Sequence, residues 1–210
     1  MLQLLNFEKK YGSKRIVAVK SMVFESGVHW IRGTNGSGKS TLFKALAGLI
    51  PCTGTISFDD KISLHDHPVE YRRRVNFSEA EPLYPDFLTG REIFDFAARS
   101  KSATMVQRKE IAEHFGIEGF MTQSLGTYSS GMTKRLSLSI AFLGTPHVII
   151  LDEPFITLDT GVRDSLTSLI KDMIPEQRIT FLISSHELLT HLDVPIVRSL
   201  VISDQTIRME

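Results

Sequence analysis

The stretch "GTNGSGKST", Gly33 to Thr41, constrains this chain more than any other segment. It fits the pattern G-x-x-x-x-G-K-[ST]. Glycines in such a loop let the backbone fold tightly round phosphate oxygens with its N–H groups pointing inward. The residues that follow, "KSTLFKALAGLI", place Leu42, Leu46 and Leu49 at helical spacing, with Phe43 and Ala45 beside them. Gly48 and Pro51 mark the end of that helix. The short apolar run "GVHWIRG" before the loop reads as a strand. A strand, a glycine loop and a helix in that order aim the positive end of the helix dipole at the loop. Gly33, Thr34, Asn35, Gly36, Ser37 and Gly38 then form a cradle for a nucleotide such as ATP. Lys39 reaches the β- and γ-phosphates, Ser40 ligates Mg²⁺, and Thr41 stands at the α-phosphate.

The remainder of the chain alternates strand and helix patterns. Residues 2–8 and 16–24 read as strands joined by a turn at "YGSK", and "GTISFDDKISL" as a hairpin turning at Asp59 and Asp60. "RVNFS" is a further strand. Residues 80–126 change texture: "EPLYPDF" is Pro-rich and aromatic, and Thr89 with Glu92, like Thr104 with Gln107, has capping-box spacing ahead of a helical run. A helix is expected from Gly131 to about Leu143, and another over 160–173. "HVIIL" and "ITFLIS" are continuous apolar runs, as strands buried on both faces require. "SSHELLTHL" continues as a helix, and "VRSLVISDQTIRM" closes as a strand pair. The expected fold is α/β: a mostly parallel sheet with helices on both faces, an antiparallel β subdomain, and a helical subdomain inserted at about 80–143 in a single domain spanning 1–210.

A nucleoside triphosphate site also needs a second metal anchor and a group that handles the attacking water. "VIILDEP" offers both. Asp152 ends a buried strand where its carboxylate reaches the Mg²⁺ region, and the next residue, Glu153, is placed to accept a proton from water. "SSH", Ser184 to His186, ends the neighbouring strand and brings an imidazole to the sheet edge where α/β proteins bind ligands.

A second anion site stands in "TYSSGMTKRLSL", Thr127 to Leu138. Two serines and a glycine precede a basic, apolar-periodic run, the pattern of an exposed helix N-terminus. Taken in order, the segments resemble the ATP-binding cassette (ABC) ATPases, and the resemblance covers essentially the whole chain. It is carried by Tyr11, the phosphate loop, the loop after "VNFS", "YSSGM", "LDEP", "ITLD" ending at Asp159, and "SSH". The placement of "YSSGM" ahead of "LDEP" makes it specific. The resemblance implies two cassettes paired head to tail, with the signature residues Ser129, Ser130, Gly131 and Met132 of one completing the ATP site of the other. It implies that Tyr11 stacks on adenine and that Glu153 is the general base. It further implies that His186 holds the γ-phosphate and water, and that Asp159 crosses the dimer interface. The usual signature of the family is LSGGQ. Here Ser130 replaces a glycine and Met132 an amide, which implies function with altered affinity. The metal-contacting glutamine of the family is Glu79 here, with Glu81 as the other candidate.

Composition narrows the partners. Formal net charge is zero and no basic stripe is present, which disfavours nucleic acid. The run "RRR", Arg72 to Arg74, reads as a solvated face. The single cysteine, Cys52, excludes an internal disulfide framework. There is no signal-peptide pattern and no apolar run of membrane-spanning length. The resemblance therefore implies the ATPase subunit of a transporter, on the cytoplasmic face of the membrane through a separately encoded permease. Its other partner is a second cassette, expected as a homodimer. "TYSSGMTKRLSLS" and "PLYP" look most like bacterial exporter subunits. Leu83, Tyr84 and Phe87 either line the groove that receives the permease or pack the helical subdomain. The alternative is a soluble cassette acting on nucleic acid or ribosomes. An unrelated P-loop kinase or GTPase leaves "YSSGM" and "SSH" unexplained.

Overall fold

The computed structural model describes residues 1–59, 61–186 and 195–209. A long hairpin opens the chain. Strands β1 (Leu2–Tyr11) and β2 (Lys14–Phe24) pair antiparallel from Leu2↔Phe24 to Tyr11↔Lys14. Because Tyr11 and Lys14 already belong to the ladder, the turn is narrower than "YGSK" and holds only Gly12 and Ser13. Strand β3 (Gly27–Arg32) leads through the glycine loop into α1 (Lys39–Leu46). Strands β4 (Thr53–Phe58) and β5 (Ile62–Ser63) form the expected hairpin. Its turn includes Asp59, while Asp60 lies outside the described residues.

A short helix that the sequence pattern does not show, α2 (Pro68–Arg74), follows. It takes up the arginine run. Arg72 donates to the Gly48 carbonyl through Nε at 3.1 Å and Nη2 at 3.0 Å, and Arg74 pairs with Glu70 at 2.8 Å. After β6 (Val75–Ser78) come α3 (Gly90–Ser100), α4 (Met105–His114) and α5 (Ser130–Ala141). Then follow β7 (Val148–Leu151), α6 (Thr160–Gln177), β8 (Thr180–Ser184), β9 (Ile196–Ser203) and β10 (Thr206–Met209). Helix α6 runs a turn beyond the expected 160–173. The helix expected after "SSH" falls on 187–194, outside the described residues.

Among the described residues the strands join in the order β5-β4-β1-β2-β10-β9-β3-β8-β7-β6. The half from β9 to β6 is parallel, and the half formed by β1, β2, β4 and β5 is antiparallel. A single parallel pair, Thr206↔Ala18, joins the halves. The parallel strands are buried on both faces, and alternate residues feed two cores. On one face Ile149, Leu151, Phe181 and Ile183 pack with α3 through α6. On the other, Val148, Ile150 and Leu182 pack with α1, Tyr71 of α2 and the antiparallel strands. The phosphate loop, Asp152 and Ser185 therefore emerge together, at the carboxyl ends of β3, β7 and β8.

Candidate functional site

That edge holds a cavity of about 490 Å³. Its walls come from Asn35 to Thr41, Ala80 and Glu81, Asp152 and Glu153, and His186, with Ile16 and Ile156 as apolar cover. The loop closes on itself through Ser37 N–H to the Thr34 carbonyl, 3.1 Å. Gly38, the residue before α1, stands at φ 107°, and a Cβ there would lie 3.0 Å from Ile16 Cγ2. A side chain at Gly38 would meet strain and crowding together. The buried Lys39 ammonium crosses the loop and donates to the carbonyls of Gly33 at 2.7 Å and Thr34 at 3.3 Å. Ser37 Oγ is buried in the loop without a hydrogen-bond partner in the chain. Backbone donors, a lysine, a hydroxyl and a helix N-terminus thus converge on one space, a donor set suited to phosphate oxygens.

The acidic wall is ordered by a serine that the motif reading names without a role. Ser184 Oγ donates to Asp152 Oδ1 at 2.6 Å and accepts from Glu153 N–H at 2.9 Å, all of it buried. Glu153 adopts φ 45°, a strained setting for a residue with a side chain. His186 closes the acidic wall. Its N–H donates to Glu153 Oε2 at 3.3 Å, and its Nε2 lies 3.3 Å from Glu153 Oε1. A serine ending the apolar run "ITFLIS" beside "VIILD" is the sequence signal for Ser184.

The other expected residues lie elsewhere. Tyr11 ends β1, half exposed, with Lys9 Nζ 4.4 Å from its ring centroid, and it is not part of the cavity wall. Glu79 is also outside. Its carboxylate pairs with Lys44 Nζ at 2.9 Å and lines a separate groove. Of the two glutamates, the structure brings Glu81 and not Glu79 to the cavity; Glu79 pairs with Lys44 of α1 and faces the separate groove.

The residues 129–132 do not line the cavity either. Ser129 caps α5, its Oγ accepting from Met132 N–H at 3.2 Å, and Ser130 is the first helical residue. A Cβ on Gly131 would lie 3.2 Å from the Thr157 carbonyl, so the helix start passes tightly beside that loop. Asp159 caps α6 by accepting from Val162 N–H at 3.1 Å, and its carboxylate pairs with Arg135. The amide bond, then the guanidinium, holds its pKa below the usual aspartate value. Nothing in the single chain brings the second anion site to the first.

The groove beside Glu79 measures about 320 Å³ and includes Leu49, Arg72, Leu83, Tyr84, Lys101 and Ile140. Tyr84 lines this groove and packs on the core, and burial pushes its hydroxyl up to about 12. Leu83 lines the groove with 93% of its surface exposed, whereas Phe87 is exposed outside it.

Comparison with known proteins gives a consistent family. The model of the family described as "ABC transporter" matches residues 18–156. An uncharacterized ABC transporter ATP-binding protein, YdbJ of Bacillus subtilis, is 31% identical over 192 residues, covering 89% of this chain and 61% of the relative. The glucose import ATP-binding protein GlcV of Saccharolobus solfataricus is 30% identical over 194 residues, covering 87% of this chain and 55% of the relative. The linearmycin resistance ATP-binding protein LnrL of Bacillus subtilis is 28% identical, covering 89% and 61%. The chain thus spans between about half and two thirds of the length of these relatives. Among solved structures, an ATP-binding subunit of an ABC transporter superposes with TM-score 0.87 at 24% identity, over 100% of this chain and 89% of that one. A dimeric ATP-binding cassette in a post-hydrolysis state with ADP and Pi superposes with TM-score 0.83 at 22% identity, over 100% and 98%.

Proposed function

For a chain that belongs to the ABC transporter family, we propose ATP binding and hydrolysis by a head-to-tail pair of cassettes that drives a separate membrane permease. One observation carries this reading. The chain holds a complete phosphate cradle with an acidic wall, and a second, capped helix N-terminus that does not reach it. A second copy supplies that helix end from outside. Ser129, Ser130 and Gly131 of one subunit then face the γ-phosphate held by Lys39 of the other. Water attacks the γ-phosphorus and the bond to ADP breaks; release of the phosphate then removes the shared anion and lets the pair open.

The residues fit ATP with Mg²⁺. Ser37, in the cavity wall, carries a buried hydroxyl with no hydrogen-bond partner among the described residues, free to meet a phosphate oxygen. Among the described residues no three His, Cys, Asp or Glu side chains group into a metal site of their own. Mg²⁺ would arrive with the triphosphate and be held by Ser40 and Asp152, neutralising phosphate charge there. Glu81 is the cavity-side candidate for a further contact. An Mg²⁺ titration comparing Glu81→Gln with Glu79→Gln separates the two. Glu153, oriented by Ser184 and beside His186, takes the proton of the attacking water. His186 orients the water and γ-phosphate, Tyr11 stacks on adenine at the outer rim, and Asp159 lies at the subunit interface.

No described helix is long and apolar enough to cross a membrane. We assign the permease to another chain, docked at the groove of Leu83 and Tyr84 on the cytoplasmic side. We read the direction as export from the texture of "TYSSGMTKRLSLS"; of the relatives above, one is named for linearmycin resistance and one for glucose import, so the names do not decide the direction. Phosphate release from ATP with Mg²⁺, repeated with Glu153→Gln, tests the chemistry. Glu153→Gln should lose turnover by about 10²-fold or more while ATP binding persists; unchanged turnover removes Glu153 as base. Co-purification from detergent-extracted membranes tests the partner. An integral membrane protein in near-equal amount supports the motor reading, and recovery from the soluble fraction alone replaces it with the soluble cassette.

A further inference from the structure

Lys134 is a charged residue with 1% of its surface exposed. It sits one turn into α5 on the same helical stripe as Leu138 and Ala141, both fully buried. Its ammonium donates to three main-chain carbonyls: Glu79 at 2.7 Å, Asp152 at 2.9 Å and Ala80 at 3.2 Å. Burial lowers its pKa to about 8, against the pull of Asp152, Glu153 and Glu79. An apolar residue would fill this position at no desolvation cost, so the retained ammonium is explained by what it joins.

The three acceptors are not scattered. Glu79 and Ala80 begin the loop after β6, whose Ala80 and Glu81 line the phosphate cavity. Asp152 ends β7 and lines it too. The donor belongs to the helix whose first turn is Ser130 to Thr133, capped by Ser129. One side chain therefore ties two walls of the nucleotide cavity to the helix N-terminus that the same chain presents outward. A second tie, Ser137 Oγ to Ser78 Oγ at 2.9 Å, lies further along α5 and reaches β6 away from the cavity wall.

We infer that Lys134 is a positioning residue that fixes the outward-facing N-terminus of α5 to the walls of its own chain's phosphate cavity, so that the ligand state of one site sets the helix end offered to the other. The inference rests on the cassette-pair reading above. A three-pronged tie of a rigid helix to both cavity walls moves the helix whenever those walls move, which is the physical content of coupling between two sites. Lys134 is not among the residues that line the cavity, so its loss should leave binding by the separate subunit intact.

The test uses the full chain in the Glu153→Gln background, with ATP and Mg²⁺ as probe, and reads two quantities. The first is ATP affinity at a dilution where the protein is monomeric. The second is the concentration at which ATP drives it into dimers. Adding Lys134→Met should weaken ATP-driven dimerisation by about tenfold or more with ATP affinity of the monomer changed less than about twofold. Lys134→Gln, which keeps N–H donors and decides the matter if the methionine variant does not fold, should regain part of the dimerisation. Ser137→Ala, which loosens the same helix away from the cavity wall, should leave dimerisation unchanged. Undiminished dimers in both Lys134 variants overturn the inference. So does a loss of monomer ATP binding that matches the loss of dimers, since Lys134 would then serve only its own site. If the Glu153→Gln parent itself forms no ATP-dependent dimer, the cassette-pair reading fails and takes the inference with it.

Discussion

Glu153 illustrates how much of the site depends on its neighbours. Its φ of 45° costs a residue with a side chain about 1–3 kcal/mol, and the surrounding bonds hold it there. Ser184 Oγ accepts from its amide and donates to Asp152 on the other side. Replacing Ser184 by alanine leaves a buried N–H and a buried carboxylate oxygen without that partner. We expect Ser184→Ala to cost about 1–3 kcal/mol in denaturant unfolding and to lower turnover more than ATP binding. Equal stability and turnover would show that the pair orders itself without the serine. "LDEP" announced Asp152 and Glu153 directly, because a carboxylate pair after a buried strand has few other uses. The hydroxyl that aligns them was less visible, since serine in a sequence carries little information about its partners. Lys134 was not legible: "TKRL" reads as part of a basic, apolar-periodic run, and only the fold shows that this one charge is buried on three main-chain carbonyls. Glu79 shows the opposite limit. The resemblance offered Glu79 or Glu81 as the metal contact and could not choose between them; in the fold the Glu79 carboxylate pairs with Lys44 of α1, a partner that no local pattern announces.

At the scale of elements, legibility followed the strength of local signals. The caps before α3 and α4 were readable, and Thr89 forms its box in full: its Oγ1 accepts from Glu92 N–H at 3.2 Å, and Glu92 Oε2 accepts from Thr89 N–H at 2.8 Å. Thr104 caps α4 by accepting from Gln107 N–H at 3.1 Å, but the box expected there does not close, because the Gln107 amide bonds to Gly144. Thr89→Ala should therefore destabilise the protein by about 1 kcal/mol, measured by equilibrium unfolding; no change would mean that packing of Phe94 and Ala98 on α5 alone sets the helix start. Helix α2 was missed for a physical reason. Tyr71 is its only buried residue, so "PVEYRRR" shows no apolar periodicity, and Pro68 at its start was its only signal. The strands β7 and β8 were legible because burial on both faces leaves continuous apolar runs. The sheet order was not, since pairing β3 between β8 and β9 depends on contacts distant in sequence.

For the whole molecule, the outstanding feature is the separation of two anion-binding elements within one chain. The phosphate cradle and acidic wall converge at the carboxyl ends of β3, β7 and β8, while the helix N-terminus at Ser129 is capped and lies outside them. Zero net charge removes long-range repulsion between copies as an obstacle to pairing. Mixing two disabled variants tests the proposed pair most directly. Lys39→Ala disables the cradle, and Ser129→Arg blocks the helix end. If each site is built from two subunits, neither variant alone should hydrolyse ATP. A mixture should regain activity, because half of randomly formed dimers then contain one intact composite site, roughly a quarter of the wild-type sites. A mixture as inactive as its components would place the helix end and the cradle in the same subunit and contradict the account.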